Sequence, residues 1–321
     1  MTVHWMDRLY GRLFFKRHSY FESGWGDNTR LEPPPELFER HMPEPIDLHW
    51  GPALPYKRGV TLRRGWFESP WAEHLPVEAR LARVRWLEPE RVDGEKPGPV
   101  CVFLASWADS GHRLRERIVL PLVRQGTSMI LLENPYYGQR CPVGQDGTKL
   151  RHVSDLIAMW VATWCEGRGL LRWLRDEGYQ AGVAGYSMGA QVGAMVGVSI
   201  PWPVAIVPLV SATSPVWPFT EGILGQLPAW DVLGERSMLG ERLKPFSLLS
   251  LPGPYEPDCA VLVGARRDGI LIPEEMRQLA DHWNIELRWL NAGHISAFVW
   301  HGRALRSALS DAFQRLASTE A

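Results

Sequence analysis

The sequence predicts an α/β fold with a mostly parallel central sheet, helices on both of its faces and an inserted cap segment. Two observations indicate this fold. Short runs of almost purely apolar residues alternate with longer amphipathic stretches, which is the pattern of buried parallel strands connected by helices. The length of 321 residues is enough for one large core or at most two domains, and the composition, 45% hydrophobic and 22% charged, is ordinary for a soluble globular protein.

The segment 1–58 is rich in proline, aromatic and charged residues, so it predicts short helices that wrap around the body of the protein. The core is expected over residues 59–215 and 258–321. Its predicted strands comprise residues 60–67, 81–87, 100–104, 128–132, 180–184, 204–210, 259–264 and 285–290. Its predicted helices comprise residues 113–125, 153–176, the small apolar residues after Ser187, 273–283 and 296–316.

The alternation lapses over residues 211–257, where proline, glycine and tryptophan are frequent and apolar patches are short, and the predicted insertion comprises residues 216–257. An insertion of this length in an α/β domain predicts a cap or lid. The aromatic residues of the stretch 216–233 favour an apolar acyl chain in the pocket. The alternative is that they pack simply against the core.

The composition argues against several classes of function. A formal net charge of -1 gives no electrostatic attraction to nucleic acid or to an anionic membrane. The four cysteines are scattered without a C-x-x-C pair, which indicates free thiols in a reducing compartment. The N-terminus lacks a secretory apolar region, and the longest apolar stretch, 190–210, is interrupted by Pro201 and Pro203. We therefore expect a cytoplasmic protein without an integral membrane segment or a nucleic-acid partner.

The motif G-x-S-x-G occupies residues 185–189, with Ser187 at its centre. An apolar, strand-like run precedes it and a run of small, helix-like residues follows it. In this context the serine lies on a sharp strand-to-helix turn, where its hydroxyl stands clear of the sheet and the helix N-terminus favours developing negative charge. The motif predicts a nucleophilic serine, and the alternative is a glycine-rich turn between two core elements.

Two further residues follow predicted strands in the order that this chemistry needs. Asp268 follows the strand 259–264, and His294 follows the strand 285–290. A serine hydroxyl needs an adjacent base; a neutral imidazole takes its proton and later donates it to the leaving group, and a carboxylate orients the imidazole. Because ligands bind at the carboxyl edge of a parallel sheet, Ser187, Asp268 and His294 form a predicted catalytic triad.

Each of these residues also has a simpler alternative role. Asp268 can cap a turn, and a single histidine commonly packs in the core or lies on the surface. The rival candidates are weaker. Asp258 precedes its strand, His301 lies within the predicted last helix, and Ser106 lacks the glycine-flanked turn.

Acyl transfer also needs two backbone N–H donors for the oxyanion of the tetrahedral intermediate. Met188, directly after the nucleophile, is the first expected donor. The second is expected from the loop 105–112, which follows the strand 100–104, and its candidates are Ser106 and Trp107.

Several stretches are similar to one family of hydrolases. They read L-L-E-N-P-Y-Y-G-Q-R at 131–140, V-S-D-L at 153–156, L-R-W-L-R-D-E-G-Y at 171–179 and G-H-I-S-A-F at 293–298, together with the serine motif. Over roughly residues 99–200 and 259–313 the chain resembles the abhydrolase-domain-containing protein eighteen family. The resemblance implies the α/β-hydrolase fold, a triad at Ser187, Asp268 and His294, and acyl hydrolysis of lipids.

The chain departs from that family after the third strand of the core. Residues 105–112 read A-S-W-A-D-S-G-H, where the family has a Gly-Thr-Gly-Asp-His-like loop. In the block 133–138, proline and glycine shape a tight loop, and we expect Glu133 to pair with Arg140 and hold it. A purely structural turn is the alternative for this block.

These residues predict a serine hydrolase of esters or thioesters, either a carboxylesterase or a lipid acyl hydrolase. It would form an acyl-enzyme and need no metal or organic cofactor. Two alternatives stay open. An acyltransferase would use the same triad and exclude water from the acyl-enzyme, and a catalytically silent binding or scaffold protein would keep the fold alone.

Overall fold

A computed structural model describes residues 2–14, 19–90 and 98–319, and its ten strands form one sheet. The strands are β1 (His49–Trp50), β2 (Leu54–Lys57), β3 (Val60–Glu68), β4 (Leu81–Pro89), β5 (Val100–Leu104), β6 (Ser128–Leu132), β7 (Ala181–Tyr186), β8 (Ala205–Leu209), β9 (Val261–Ala265) and β10 (Glu286–Leu290). Their order is β1-β3-β4-β6-β5-β7-β8-β9-β10, and β2 pairs with β3.

Strands β5 to β10 are mutually parallel, whereas β1 to β4 add an antiparallel extension at the β6 edge. The predicted α/β class with a mostly parallel sheet is therefore confirmed. The short strands β1 and β2 lie in the segment 1–58, where the sequence predicted only short helices. Their residues are too few and too exposed to produce an alternating pattern.

The described residues also form ten α-helices. They are α1 (Trp5–Phe14), α2 (Arg113–Val123), α3 (Val153–Asp176), α4 (Met188–Val198), α5 (Val216–Thr220), α6 (Trp230–Leu233), α7 (Arg236–Leu243), α8 (Pro273–Trp283), α9 (His294–Trp300) and α10 (Gly302–Thr319). Within the described ranges, no helix combines the length and the apolar character that crossing a membrane requires.

The predicted last helix, 296–316, was wrong, because two helices occupy this stretch. His301 ends α9 with a backbone ψ of 23°, outside the helical range, and Gly302 begins α10. Glycine has a low helix propensity, so a break is least costly beside it. His301 consequently lies between two helices and not inside one.

Helices cover both faces of the sheet. Successive side chains of a strand point to opposite faces. On β7, the position of Gly182 faces Phe313 of α10, whereas Val183 contacts Gly193 of α4. Helix α3 packs on α4, and α2 packs on α10, so the parallel strands are enclosed from both sides. Every residue of β5 and β6 is buried, which explains their uninterrupted apolar sequences.

The residues 216–257, predicted as a cap, lie between β8 and β9 and contain α5, α6, α7 and several single-turn helices. The N-terminal segment contacts this region directly. The backbone N–H of Tyr20 donates to the carbonyl of Leu227, and that of Ala229 donates to the carbonyl of Tyr20. These hydrogen bonds connect the N-terminal segment to the region above the carboxyl edge of the sheet.

The loop after β6 is held by a buried ion pair, but the predicted partners were wrong. Arg140 pairs with Glu166 of α3, and both side chains are fully buried. The guanidinium also donates to the backbone carbonyls of Glu133 and Ala79. The carboxylate of Glu133 instead accepts the backbone N–H of Gln139. A guanidinium with five donors can serve several acceptors at once, and here it joins three segments.

We predict that Glu166→Ala lowers the free energy of unfolding by about 3–5 kcal/mol, because it leaves the Arg140 guanidinium buried without its charge partner. Denaturant titration measures the change. The control is Glu241→Ala, which removes the exposed partner of Lys244 and should cost about 1 kcal/mol or less. Equal losses in the two variants would contradict a structural role for the buried pair.

Candidate active site

Ser187 lies on the turn between β7 and α4 in a strained backbone conformation, with φ 57° and ψ −119°. A non-glycine residue persists there only when its surroundings hold it, at a cost of about 1–3 kcal/mol. The backbone N–H of Ser187 donates to the carbonyl of Leu209 on β8, with 3.0 Å between N and O. The turn therefore directs the serine side chain out of the sheet, as the sequence motif predicted.

The two glycines of the motif are required by close backbone approach. A Cβ atom at Gly185 would collide with the carbonyl of Gly189. A Cβ atom at Gly189 would lie 2.6 Å from the carbonyl oxygen of Leu104 and 2.8 Å from that of Ala105. Because both glycines lack Cβ, the first turn of α4 can pack against the end of β5 and the start of the following loop.

The structure brings the three predicted residues together. Oγ of Ser187 donates to Nε2 of His294 over 2.9 Å, and Nδ1 of His294 donates to Oδ2 of Asp268 over 2.8 Å. A carboxylate only accepts hydrogen bonds, so Nδ1 carries the proton and Nε2 is free to accept the serine hydroxyl. Asp268 and His294 are buried and Ser187 is half-buried. This arrangement can remove a proton from the serine hydroxyl.

The two oxygens of Asp268 have different partners. Oδ2 faces His294, while Oδ1 accepts the backbone N–H groups of Ile270 and Leu271 over 2.7 and 2.8 Å. The capping role that the sequence offered as an alternative is thus present together with the contact to histidine. The turn fixes the carboxylate, so its second oxygen stays aimed at the imidazole.

The carboxylates around His294 make its ring easier to protonate than that of an ordinary histidine. Burial alone would lower the pKa of His294, but the negative carboxylates of Asp268 and Asp7 outweigh it and raise the pKa above its ordinary value. The backbone carbonyl of His294 accepts the hydroxyl of Tyr186, which is buried against the imidazole. Burial and the same carboxylates raise the pKa of Tyr186 well above its usual range, so its hydroxyl remains a donor.

The structure also shows where the three expected oxyanion donors lie. Met188 is the first residue of α4, so its backbone N–H has no partner within the helix. Ser106 and Trp107 begin the loop after β5, which Gly189 contacts. The hydroxyl of Ser106 donates to the carbonyl of Tyr186 over 2.9 Å. This hydrogen bond links the loop directly to the turn that carries the serine.

The remaining polar residues of this loop stabilise it. Asp109 forms a buried ion pair with Arg115 of α2, with 2.8 Å between Nε and Oδ2. His112 contacts the same guanidinium, and burial together with neighbouring arginines lowers the pKa of His112 to about 2. A neutral His112 can therefore accept a hydrogen bond from Arg115. Within the described residues, neither Asp109 nor His112 forms a hydrogen bond with the triad.

Two cavities open beside Ser187. The larger, about 440 Å³, is lined mainly by apolar side chains and by His294, with Tyr10, Leu114 and Phe298 among its walls. The smaller, about 50 Å³, is lined by Met188, Gln191, Trp160 and Phe219. Trp107, Leu224 and Ile270 border both cavities. Of the aromatic residues in the stretch 216–233, Phe219 lines the smaller cavity, whereas Trp230 packs against the core.

One residue at this site was not predicted from the sequence. Asp7 of α1 is buried, and its carboxylate accepts backbone N–H groups of Gly269, His294 and Ile295. No local signal distinguishes it, because it belongs to a helix that follows no strand. The rivals Asp258 and His301 form no hydrogen bond with the triad in the described part of the chain.

Groups of three or more histidine, cysteine, aspartate or glutamate side chains that could hold a metal ion do not occur among the described residues.

The model of the family described as Alpha/beta hydrolase domain containing 18 matches residues 18–244 and 235–315. The chain belongs to this family. The resemblance seen in the sequence is thereby confirmed, and the first segment of the match begins well before the strands of the core.

Three of the solved structures that are similar to this chain are esterases. An acetyl xylan esterase from Paenibacillus sp. R4 is 12% identical, with a TM-score of 0.60 over 83% of this chain and 89% of that one. Acetyl xylan esterase 1 from Thermoanaerobacterium sp. JW/SL YS485 is 14% identical, with a TM-score of 0.60 over 97% and 99%. A cold-adapted esterase from an Arctic intertidal metagenomic library is 18% identical, with a TM-score of 0.53 over 82% and 98%. At these identities the likeness concerns the fold, which is that of the α/β-hydrolases.

We predict that Gly189→Ala destabilises the protein by about 1–3 kcal/mol, because the new Cβ overlaps two backbone carbonyls that cannot move aside independently. Gly193→Ala, in the same helix, is the matched control. Its Cβ would lie 3.5 Å from Val183, an ordinary contact, so we expect stability to be unchanged or to rise by up to about 1 kcal/mol. Thermal or denaturant unfolding of both variants measures this. Similar stabilities would show that the close approach at Gly189 is unimportant.

Proposed function

We propose that this protein is a serine hydrolase that cleaves an ester or thioester through an acyl-enzyme. The observation that carries the proposal is the unbroken hydrogen-bond chain from Oγ of Ser187 through His294 to Asp268, at the carboxyl edge of a parallel sheet. Family membership and the esterase fold of the similar structures support the reaction class.

In this proposal Ser187 attacks the substrate carbonyl while Nε2 of His294 takes the hydroxyl proton. Asp268 stabilises the imidazolium that forms. The imidazolium then donates its proton to the leaving oxygen or sulfur as the carbonyl–leaving-group bond breaks, and an acyl-serine results. Water attacks the acyl-serine with His294 again as the base, which releases the acid and restores the serine.

Backbone N–H groups stabilise the oxyanion of each tetrahedral intermediate. We assign the first donor to Met188, because its N–H lies unpaired at the helix N-terminus beside Ser187. The second donor is assigned to Ser106 or Trp107. The contact of Gly189 with the preceding residues of that loop supports this assignment, because it brings the loop beside Met188.

The two cavities beside Ser187 would each hold one part of the substrate, the acyl group or the leaving group. The leaving group must receive its proton from Nε2 of His294, so it belongs in the 440 Å³ cavity, which His294 lines. The acyl group then belongs in the 50 Å³ cavity next to Met188 and Phe219. That volume is about one ninth of the volume of the larger cavity. We therefore propose a short acyl group joined to a larger apolar alcohol or thiol.

The first test is covalent labelling of Ser187 by a fluorophosphonate, with peptide mapping by mass spectrometry. We expect labelling of Ser187 in the wild-type protein. Ser187→Ala should lose labelling and lower kcat for ester hydrolysis by roughly 10⁴-fold or more. Ser110→Ala is a control that alters a hydroxyl of the neighbouring loop and should label normally. A folded wild-type protein that is not labelled, and hydrolyses no ester faster than Ser187→Ala, would overturn the proposal.

The second test concerns substrate size and uses p-nitrophenyl esters of increasing acyl length. We expect kcat/KM to be highest for acetyl to butyryl esters and to fall by about tenfold or more for longer chains, because the small cavity cannot hold them. Phe219→Ala enlarges that cavity and should move the optimum to longer chains. Phe298→Ala enlarges only the other cavity and should leave the acyl preference unchanged. A wild-type optimum at long chains would contradict the assignment of the cavities.

A further inference from the structure

We propose that Asp7, in the N-terminal helix α1, is a positioning residue of the active site. Its carboxylate fixes the backbone segments that carry His294 and Asp268 relative to each other. The inference rests on the hydrolase function proposed above. It assigns to a residue at the start of the chain a role in a reaction whose other participants follow strands of the core.

Asp7 joins the two segments that carry Asp268 and His294. Its Oδ2 accepts the backbone N–H of Gly269 over 2.9 Å and that of His294 over 2.7 Å. Its Oδ1 accepts the backbone N–H of Ile295 over 2.9 Å. Oδ2 of Asp7 thus connects His294 with Gly269, the residue that follows Asp268. A rotation of either segment would lengthen at least one of these hydrogen bonds.

Among the described residues, the carboxylate of Asp7 is compensated by the backbone hydrogen bonds from these two segments. The side chain is buried, with 1% of the residue exposed, and no basic side chain of the described chain forms an ion pair with it. A buried carboxylate is costly unless hydrogen bonds compensate it. Two of its three donors are the first N–H groups of α9, where the helix dipole also favours a negative charge. The carboxylate therefore favours one arrangement of both segments.

Helix α1 is seated too closely for Asp7 to adjust its position freely. A Cβ atom at Gly293 would lie 2.5 Å from Oδ2 of Asp7, and one at Gly269 would lie 3.1 Å from its Cβ. The backbone N–H of His4 also donates to the carbonyl of Arg267 over 3.0 Å. Gly269, which follows Asp268, and Gly293, which precedes His294, thus leave room for α1 to pack closely. This close packing fixes the position of Asp7.

Two acidic groups act on the imidazole of His294: Asp268 through a hydrogen bond to Nδ1, and Asp7 through its charge near the backbone. Tyr186, the third titratable neighbour, donates its hydroxyl to the backbone carbonyl of His294 and stays neutral. Removing the charge of Asp7 therefore lowers the pKa of His294. The base must be neutral to act, so the acid limb of the pH–rate profile should move to lower pH in a variant without this charge.

The experiment compares Asp7→Asn with the wild-type protein on a p-nitrophenyl ester. We expect kcat to fall by about 10- to 100-fold with little change in KM, because misplacement of the base by a fraction of an ångström slows proton transfer. The acid limb should move to lower pH. Asp7→Glu retains the charge but displaces the carboxylate, so kcat should fall while the acid limb stays near its wild-type position.

The control is Glu166→Gln, which neutralises a buried carboxylate whose charge partner is Arg140; the acid limb of this variant, measured on folded protein, should stay at its wild-type position. If Asp7→Asn does not fold, the test is the kcat of Asp7→Glu, which should be lower than that of the wild-type protein. An unchanged kcat and pH profile in the folded Asp7 variants, beside a wild-type protein that labels at Ser187, overturns the role of Asp7 alone. A wild-type protein without labelling overturns the proposed function and this inference with it.

Discussion

The site depends on the strained turn at Ser187. Its backbone conformation is unfavourable for any residue with a side chain, so the surrounding structure must hold it. The hydrogen bond to Leu209, the bond from Ser106 to the carbonyl of Tyr186 and the bare backbone of Gly185 and Gly189 do so together. The strain is useful because the conformation that costs energy is the one that presents Oγ to His294.

The sheet order explains why distant segments meet at this turn. Strand β5 lies between β6 and β7, so the chain leaves β5 toward one edge and later returns on its other side. Such a reversal opens a crevice at the carboxyl edge. The loop after β5 and the Ser187 turn border this crevice, and Asp268 and His294 enter it from the ends of β9 and β10. The fold thereby brings Ser187, Asp268 and His294, which are far apart in sequence, within hydrogen-bond distance of one another.

Most of this arrangement could be predicted because its signals are local. Fully buried strands have unbroken apolar sequences, and the serine motif marks its own turn. The long helix 153–176 was predicted to the residue, and its start is fixed where the backbone N–H of His152 meets the carboxylate of Asp155. Asp7 could not be predicted, since its partners lie more than 260 positions away and are backbone N–H groups. Such groups are present at almost every residue and leave no pattern in a sequence.

The loop after β5 is held by a buried ion pair and by hydrogen bonds to backbone carbonyls. The family resemblance predicted glycines at the start of this loop, whereas here Ala108 adopts the left-handed conformation, with φ 59°. The buried pair of Asp109 with Arg115, and the contacts of Arg115 with the carbonyls of Phe103 and Leu132, hold this conformation. A donor that is held before the substrate arrives needs no reorganisation during the reaction. The loop that we propose to complete the oxyanion hole therefore owes its order to buried charge, and the absence of glycine at residues 106–108 is compatible with catalysis.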